Sequence, residues 1–427
     1  MTDAAIFFDE VVSTNGKRIG HVTLNNTSAL NALSLDMLEP LYKQLTAWDA
    51  DTEIAAIFID ASGEKAFCAG GDIVSLYKGM TGQGDPDYPD RFFTLEYRLC
   101  HAIHMLATPC IAWGNGLIMG GGMGVFSAAS HRIVTAASTL SMPEIKIGLF
   151  PDCAATWFFN RLPTRLGLFV ALTGATLGAQ DALVAGLADR AIDHAAKQTV
   201  FDALTRITDW NQPHAAVDRV LRQHAREHPA GLGESKLLEH AMTIRDATDA
   251  ATLAGIVAGI RKLADAEDPW LVEAASNVEN GCPVTAHLIY RQLRDGRYLS
   301  LKQAVMRELK MALQCARHPD FAEGVRALLV DKDREPQWIF ESVAAVPSDY
   351  VDTHFRAPWD GDHPLRVDIN SETLEPSPYV TLDGNLDAKL VRPVYYELVS
   401  LGVEKRFGDK QIYGVWSNGV FFAIGTL

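Results

Sequence analysis

Two glycine-rich segments of the chain have the residue types that expose backbone N–H groups to a ligand. The first is FCAGGDI at 67–73, after a predicted strand at 54–60, and the second is MGGGMG at 119–124, after a predicted strand at 110–113. Glycine lets a ligand approach the backbone closely, and N–H groups at a helix N-terminus can stabilise an oxyanion. Tight packing of a helix on a sheet uses the same glycines, so each segment alone supports both interpretations.

A carboxylate lies on the apolar face of a predicted helix at 91–106. Glu96 shares that face with Phe92, Leu99 and Ile103, at helical spacing. A carboxylate on an apolar face is buried, which is costly unless the group is paired or used in catalysis. A core acid bonded to the backbone and a functional acid are therefore both open for Glu96.

Two further acids follow the third predicted strand. Glu144 comes directly after Pro143, which fixes a turn, and an exposed loop glutamate is the alternative interpretation. Asp152 follows Pro151 and opens an apolar segment, where an ordinary helix N-cap is the alternative. Three acids thus lie near the glycine segments, and each has a structural as well as a functional interpretation.

Two other motifs resemble known sites but have simpler explanations. GNGLIMG at 114–120 is similar to a dinucleotide fingerprint, yet the next strand, RIVTA at 132–136, lacks the acid that such a site requires. His224, Glu227 and His228 match the zinc pattern H-x-x-E-H, but their arginine-rich surroundings are typical of a solvated helix face. The sequence has neither a G-x-S-x-G elbow nor a Walker A loop, so serine hydrolase and P-loop NTPase interpretations lack their main motif.

The elements that position these residues alternate between strands and helices, which indicates an α/β fold. From the apolar patterning and turn residues we predict a hairpin within 5–25, a helix from the N-cap Ser34 to about Asp49, buried strands at 54–60, 110–113 and 132–136, and the helix at 91–106. Helical periodicity dominates from about 165 to 340, and 340–365 has the composition of a loop. The last sixty residues return to β character, with a hairpin turn at 417–419.

The composition indicates a folded protein that handles a small ligand. The chain has 427 residues, 48% of them hydrophobic, and 38 Lys+Arg against 53 Asp+Glu give a net charge of −15. This charge repels polyanions and argues against general nucleic-acid binding. Six widely spaced cysteines without a C-x-x-C pair indicate reduced thiols in a cytosol-like compartment.

Membrane insertion and secretion are not expected. The N-terminal residues have neither the basic and apolar regions of a secretory signal nor the arginines of a transit peptide. The uncharged stretch 105–130 contains Pro109, Asn115 and six glycines, which favours a buried strand, turn and helix over a lipid-facing span.

Together, the motifs resemble the crotonase (enoyl-CoA hydratase/isomerase) superfamily. FCAGGDI and GNGLIMGGGMG are similar to its two oxyanion segments, and MPEIKIGLFPD and LTGATLGAQDALVAGLAD follow in the family order. Within the superfamily, FFTLEYRL, GLFPD and DFAEGVRALLVDKDREPQW are similar to the 3-hydroxyisobutyryl-CoA hydrolase subgroup. The resemblance extends from about residue 5 to 365.

The resemblance implies a role for each candidate residue. The N–H groups of Ala69 and Gly121 would polarise the thioester carbonyl of an acyl-CoA. Glu144 would attack that carbonyl or activate water against it. Asp152 would bind the β-hydroxyl of the acyl group, and Glu96 would orient the acyl end.

The first glycine segment would also contribute Gly70, Gly71 and Asp72 to substrate binding. The resemblance implies an acyl-CoA substrate, with CoA as part of that substrate and no separate cofactor, metal, nucleic acid or membrane partner. It allows a homo-oligomer. The expected compartment is cytoplasmic, or the mitochondrial matrix for a processed eukaryotic chain.

Two departures from the family pattern affect the expected activity. Hydratases of the family carry a second glutamate where this chain has Gly124, and without two carboxylates around a bound water, hydration loses its acid–base pair. Thioester hydrolysis needs only an oxyanion hole and one nucleophile or base. The usual glycine run after Asp152 is replaced by 153–156 (CAAT), whose larger side chains we expect to narrow the acyl pocket. An enoyl-CoA hydratase/isomerase and a non-catalytic acyl-CoA-binding protein are the alternatives to a hydrolase.

The resemblance implies the crotonase (ClpP-like) spiral fold of ββα units, which is an α/β fold. We expect a core with the active site at 1–195, a helical region that completes the fold at 196–345, and a loop and C-terminal extension at 346–427. The segment after about 365 is expected to form a small β module of unknown role.

Overall fold

The structure is a computed structural model that describes residues 4–366 and, further along, the backbone of three strands between 404 and 426. The chain divides into two compact units, Met1–Arg366 and Val367–Leu427. The first unit therefore contains both the expected core and the expected helical region. It also contains 346–366, which we had placed in the C-terminal extension.

Two sheets organise the described residues of the first unit. The larger has the order β1-β2-β3-β5-β7-β10 and the smaller the order β4-β6-β8-β9. Their strands are β1 (Ile6–Val12), β2 (Arg18–Leu24), β3 (Ile54–Ala61), β4 (Ala66–Cys68), β5 (Cys110–Gly114), β6 (Leu117–Met119), β7 (His131–Val134), β8 (Thr139–Ser141), β9 (Leu177–Gly178) and β10 (Arg190–Ala191).

The larger sheet confirms the predicted strands. β1 and β2 form the antiparallel hairpin, and β2, β3, β5, β7 and β10 run parallel. Every residue of β3 from Ile54 to Asp60 is buried, as its continuous apolar run predicted.

The smaller sheet was not predicted. Its strands are two or three residues long, too short to show a periodicity. The two glycine segments consequently follow β4 and β6, and not β3 and β5 as the sequence suggested.

Helices connect the strands and form the remainder of the first unit. They are α1 (Leu35–Ala50), α2 (Ile73–Met80), α3 (Tyr88–Met105), α4 (Gly121–Ala128), α5 (Ala155–Phe159), α6 (Leu166–Thr173), α7 (Ala179–Val184), α8 (Lys197–Thr205), α9 (Pro213–Glu227), α10 (Lys236–Glu239), α11 (Ala241–Thr248), α12 (Leu253–Arg261), α13 (Pro269–Asn280), α14 (Pro283–Gly296), α15 (Leu301–Cys315), α16 (Pro319–Val325) and α17 (Ser348–Thr353).

The helices largely follow the predicted pattern. α1 starts after Ser34 and buries Leu38, Leu41 and Leu45, although the Ser34 side chain does not make the predicted capping hydrogen bond. The predicted loop at 340–365 contains α17, a helix of six residues that is too short to show a periodicity.

Each turn of the fold places one strand in each sheet before a helix. β3 and β4 precede α2, β5 and β6 precede α4, and β7 and β8 precede a 3-10 turn at Glu144–Ile147. This repetition is the expected spiral of ββα units. It brings the ends of β4, β6 and β8, which are adjacent in the smaller sheet, to one place.

The apolar stretch at 105–130 forms β5, β6 and α4, which are mostly buried, as we predicted. Among the described residues, no helix combines the length and the apolar character that a membrane crossing requires.

In the second unit, β11 (Glu404–Phe407), β12 (Lys410–Ser417) and β13 (Val420–Thr426) form an antiparallel sheet. Ser417 pairs with Val420, which confirms the predicted hairpin. The rest of the predicted β segment after residue 366 lies outside the described residues.

The turn that carries Glu144 is fixed against the C-terminal helices through Gly148. Gly148 has a φ of 74°, and a Cβ there would overlap the carbonyl oxygen of Asp320 in α16. Gly186 has a similar φ of 68°, but a Cβ there would meet nothing within 4 Å. The two positions separate the effect of backbone strain from that of close packing.

We expect Gly148→Ala to lower the free energy of unfolding by about 2–4 kcal/mol, because it adds an overlap to the left-handed backbone. Gly186→Ala should lower it by only about 1 kcal/mol, the backbone effect alone. Urea unfolding followed by circular dichroism measures both. Equal losses for the two variants would contradict the packing of Gly148 on α16.

Candidate active site

One cavity of about 200 Å³ collects most of the predicted site residues. Its lining includes both glycine segments and all three candidate acids, together with apolar side chains. The lining residues used below are Gly70, Gly71, Gly120, Gly121, Glu96, Glu144, Asp152, Leu328 and Leu329. Side chains far apart in the sequence therefore meet at the ends of β4, β6 and β8.

The first glycine segment presents a different N–H group from the one we predicted. The Ala69 N–H donates to the carbonyl oxygen of Leu30 at 3.0 Å, so it is already used within the fold. The Asp72 N–H likewise donates to Leu33. Between them, the N–H groups of Gly70 and Gly71 make no hydrogen bond within the described part of the chain. The assignment of Ala69 is therefore corrected, and Gly71 replaces it as the candidate donor.

Asp72 also has a structural function that the resemblance did not indicate. It is the N-cap of α2, where its Oδ1 accepts from the Ser75 N–H at 3.0 Å and its Oδ2 from the Ser75 hydroxyl at 2.6 Å. Asp72 is not among the residues that line the cavity. The carboxylate is used for capping, and its predicted role in substrate binding is not supported.

The second glycine segment opens α4 at the cavity. α4 begins at Gly121, and the N–H groups in the first turn of a helix have no partner within that helix. Among the described residues, none accepts the Gly121 N–H. A Cβ on Gly120 would lie 3.5 Å from the Gly70 Cα and 3.2 Å from Oε1 of Glu144, so the two segments and this carboxylate meet closely. Gly71 and Gly121 are thus the candidate oxyanion donors.

Glu144 is not an exposed loop residue, because it is only 5% exposed. It begins the 3-10 turn after β8, and its Oε2 has no hydrogen-bond partner in the described residues. Burial, and then the negative charge of Asp152, raise the pKa of Glu144 well above its usual value. The carboxylate is thus poised with one free oxygen beside the glycine segments.

Asp152 is buried and does not cap a helix. Its Oδ2 accepts from the Tyr97 hydroxyl at 2.6 Å, and burial raises the pKa of Asp152 to about 6. α5 starts three residues later, and Glu308 accepts from its first N–H groups instead, those of Ala154 and Thr156. The local sequence gave no signal for Tyr97 or Glu308, because both lie on other helices.

Glu96 is buried beneath the start of α4. A Cβ on Gly121 would overlap its Oε1, which explains why this position is a glycine. The pKa of Glu96 is raised well above its usual value by burial and then by the charge of Asp152, while a hydrogen bond with Cys153 lowers it. Within the described residues, no backbone N–H donates to Glu96, so its interpretation as a core acid bonded to the backbone is not supported.

The space next to Gly124 is occupied. A Cβ there would lie 2.6 Å from Cβ of Cys153 and 2.7 Å from Sγ of Cys100. None of the residues 153–156 is among those that line the cavity, so the cavity does not support the predicted narrowing of the acyl pocket by these side chains. The side chain of Cys153 lies instead next to Gly124, the position where hydratases of the family carry the second glutamate.

The cavity lining also includes two residues of the tail motif DFAEGVRALLVDKDREPQW, for which the sequence indicated no role in the site. Leu328 and Leu329 lie on a π-helical turn and are 37% and 39% exposed. Arg326 fixes this turn through ion pairs with Glu323, Asp331 and Asp333. The π-helical turn, which is far from the core motifs in the sequence, therefore forms part of the cavity lining.

The two alternative motifs differ in their relation to the cavity. The dinucleotide-like segment ends in Gly120, which lines the cavity, while its Gly116 packs against the backbone of Lys65 in a turn between strands. His224, Glu227 and His228 have ligand atoms within 4.8 Å of one another, so they could hold a metal ion, but they do not line the cavity. Glu96, Asp152 and Cys153 are grouped equally closely, and of these three the two acids line the cavity.

Comparison with known proteins identifies the family. A model described as enoyl-CoA hydratase/isomerase matches residues 19–355. A second model, the C-terminal domain of a protein of unknown function (DUF1285), matches residues 350–424.

Named relatives and solved structures extend over most of the chain. The mitochondrial 3-hydroxyisobutyryl-CoA hydrolase of Gallus gallus is 34% identical over 79% of this chain and 86% of its own, and that of Homo sapiens is 32% identical over 83% and 90%. A carnitinyl-CoA dehydratase from Mycobacterium thermoresistibile has a TM-score of 0.73 at 29% identity over 85% of this chain and 98% of its own. An enoyl-CoA hydratase from Rhodobacter sphaeroides has a TM-score of 0.71 at 31% identity, over 83% and 98%. The chain therefore belongs to the enoyl-CoA hydratase/isomerase family, the crotonase superfamily whose motifs it carries.

Proposed function

We propose that the protein hydrolyses the thioester of a short β-hydroxyacyl-CoA, with 3-hydroxyisobutyryl-CoA as the substrate we favour. The observation that carries this proposal is one buried carboxylate with a free oxygen, Glu144, beside two free N–H groups, those of Gly71 and Gly121. The named hydrolases that this chain resembles support the same substrate.

In the proposed reaction, the two N–H groups bind the thioester oxygen and stabilise the negative charge that develops on it. Glu144 either attacks the carbonyl carbon, forming an anhydride that water opens, or takes a proton from the water that attacks. In both routes the C–S bond breaks, CoA leaves as the thiol, and the acyl group leaves as a carboxylate. No cofactor is required, because CoA enters with the substrate.

Asp152 supplies the preference for a hydroxyl group. Its Oδ2 is held by Tyr97, and its other oxygen can accept a hydrogen bond from the β-hydroxyl of the acyl group. Glu96 lines the same cavity and would orient the acyl end. A substrate without the hydroxyl would leave the buried Asp152 carboxylate without this partner, which costs binding free energy.

The alternative is hydration of an enoyl-CoA, which the named hydratase and dehydratase structures favour. Hydration across a double bond needs an acid and a base beside one water. In this chain the family position of the second glutamate is Gly124, and Cys153 occupies the adjacent space. Only a pairing of Glu144 with Asp152 or Glu96 could supply the acid and the base that hydration needs.

The partners and compartment follow from the same proposal. An acyl-CoA is the ligand, and the named relatives are described as mitochondrial. All six cysteines are free and buried, which is compatible with a reducing compartment such as the cytoplasm or the mitochondrial matrix.

We expect the purified protein to release free thiol from 3-hydroxyisobutyryl-CoA, and Glu144→Gln to lower kcat by about 10³-fold or more, because it removes the nucleophile or base. A colorimetric thiol assay measures this. Crotonyl-CoA is the matched control: loss of its enoyl absorbance without thiol release would identify a hydratase. Binding of both compounds without turnover would indicate a binding protein.

We also expect the charge of Glu144 to destabilise the fold. Because the pKa of Glu144 is raised in the folded state, the folded protein binds more protons than the unfolded one between the usual value and the raised value. The free energy of unfolding therefore falls as pH rises through this range. Glu144→Gln should raise Tm, and more at pH 8 than at pH 5, while activity of the wild type should decline as pH falls through the raised pKa.

Thermal unfolding at the two pH values tests this, with Glu341→Gln at an exposed position as the control. A Tm of Glu144→Gln equal to or below that of the wild type at pH 8 would show that the carboxylate is not destabilising.

A further inference from the structure

The turn that follows Asp152 has an unfavourable backbone conformation. Cys153 and Ala154 have φ values of 53° and 74°, in the left-handed region that residues with a Cβ rarely adopt. Each such residue costs about 1–2 kcal/mol, and two in succession persist only where the surroundings hold them. The family pattern has a run of glycines at these positions, which 153–156 (CAAT) replace in this chain. This chain therefore needs another means of fixing the turn.

Glu308 supplies that means from α15. Its carboxylate, with a residue exposure of 0%, accepts from the Ala154 N–H at 2.7 Å and from the Thr156 N–H at 2.8 Å. Ala154 occupies the N-cap position of α5 but has no side chain that can cap the helix. A distant carboxylate thus performs the capping that the local sequence does not provide.

The burial of Glu308 is costly. Within the described residues, it pairs with no lysine or arginine, and burial raises the pKa of Glu308 to about 7. A buried carboxylate without a cation is costly, and hydrogen bonds from backbone N–H groups offset part of that cost. The group it holds is the backbone immediately after Asp152.

Gln292 holds the other side of the same turn. This residue of α14 is 1% exposed, and its Nε2 donates to the carbonyl oxygen of Pro151 at 2.7 Å and to Oγ1 of Thr156 at 2.8 Å. The backbone is therefore tied on both sides of Asp152, whose Oδ2 is tied to Tyr97. The carboxylate of Asp152, which lines the cavity, is thus held both through its backbone and through its Oδ2.

We propose that Glu308 is a positioning residue that fixes the Asp152 carboxylate, through the backbone N–H groups of Ala154 and Thr156, so that the site selects acyl groups with a hydroxyl. This inference rests on the proposed function of Asp152. It assigns the selectivity of the cavity to a helix that does not line it.

The test compares two substrates that differ only in the hydroxyl, 3-hydroxyisobutyryl-CoA and isobutyryl-CoA. In Glu308→Gln, one backbone N–H faces an amide NH₂ group, so the turn shifts and Asp152 moves with it. We expect kcat/KM for the hydroxyacyl substrate to fall about 10- to 100-fold, and that for isobutyryl-CoA to fall less than about 3-fold. An equal fall for both substrates would overturn the proposal, because a general loss of structure affects both.

Three variants make the result specific. Asp152→Asn should lose the same preference, and adding Glu308→Gln to it should change the preference no further, because both act through one group. Asp181→Asn is the matched control: this buried acid also caps a helix, accepts from Ser235 at 2.6 Å and from the Leu237 N–H at 2.9 Å, and lies outside the cavity. Asp181→Asn should lower Tm and leave the preference for the hydroxyacyl substrate unchanged.

Two further measurements keep the proposal separate from folding and from the proposed activity. If Glu308→Gln does not fold, Gln292→Met should reduce the preference in the same direction, and an unchanged preference would overturn the proposal. Calorimetric binding of the two acyl-CoAs in a Glu144→Gln background gives the preference without turnover. If the wild type releases no thiol, the proposed hydrolysis fails. Loss of the binding preference on adding Glu308→Gln would still support the role of Glu308. An unchanged binding preference would reject that role.

Discussion

The structure depends on the burial of carboxylates around one small cavity. Glu96, Glu144 and Asp152 all line it, each is 5% exposed or less, and none of the lining residues is a lysine or arginine. Burial favours the protonated forms of all three acids, and the charge of Asp152 adds to this effect for Glu96 and Glu144, so the site is costly to hold in its charged state. The surrounding fold must offset that cost with apolar packing and fixed hydrogen bonds. Tyr97 is such a donor to Asp152.

Packing against these acids also accounts for the glycine segments. The two interpretations that the sequence left open, oxyanion donors and tight packing, are both supported by the geometry. Gly121 has no side chain because Glu96 lies directly beneath it, and its N–H has no partner within the described residues. Gly121 thus both allows the close approach of Glu96 and presents a free N–H group. The interpretations as an oxyanion donor and as a packing glycine do not exclude each other at this position.

The sequence predicts the long or periodic helices and strands. It does not predict contacts between residues that only the three-dimensional structure brings together. β3, β5 and α3 follow from their apolar patterns, and the burial of Glu96 follows from its place on the apolar face of α3. Ala69 and Gly71 are two residues apart in one motif, and only the hydrogen bond from Ala69 to Leu30 shows that the Ala69 N–H is not free. Glu308 is more than 150 residues from the turn it holds, so no local pattern could connect the two.

The two departures from the family pattern have one physical cause. A Cβ at position 124 would lie 2.6 Å from Cβ of Cys153, so side chains at both positions compete for one volume. In this chain, the glycine at 124 leaves room for the side chains of Cys153 and Cys100. The left-handed turn that directs Cys153 into this space is the turn that Glu308 and Gln292 hold. The glycine at 124 and the turn that follows Asp152 are therefore parts of a single packing arrangement, on which the proposed hydrolysis rests.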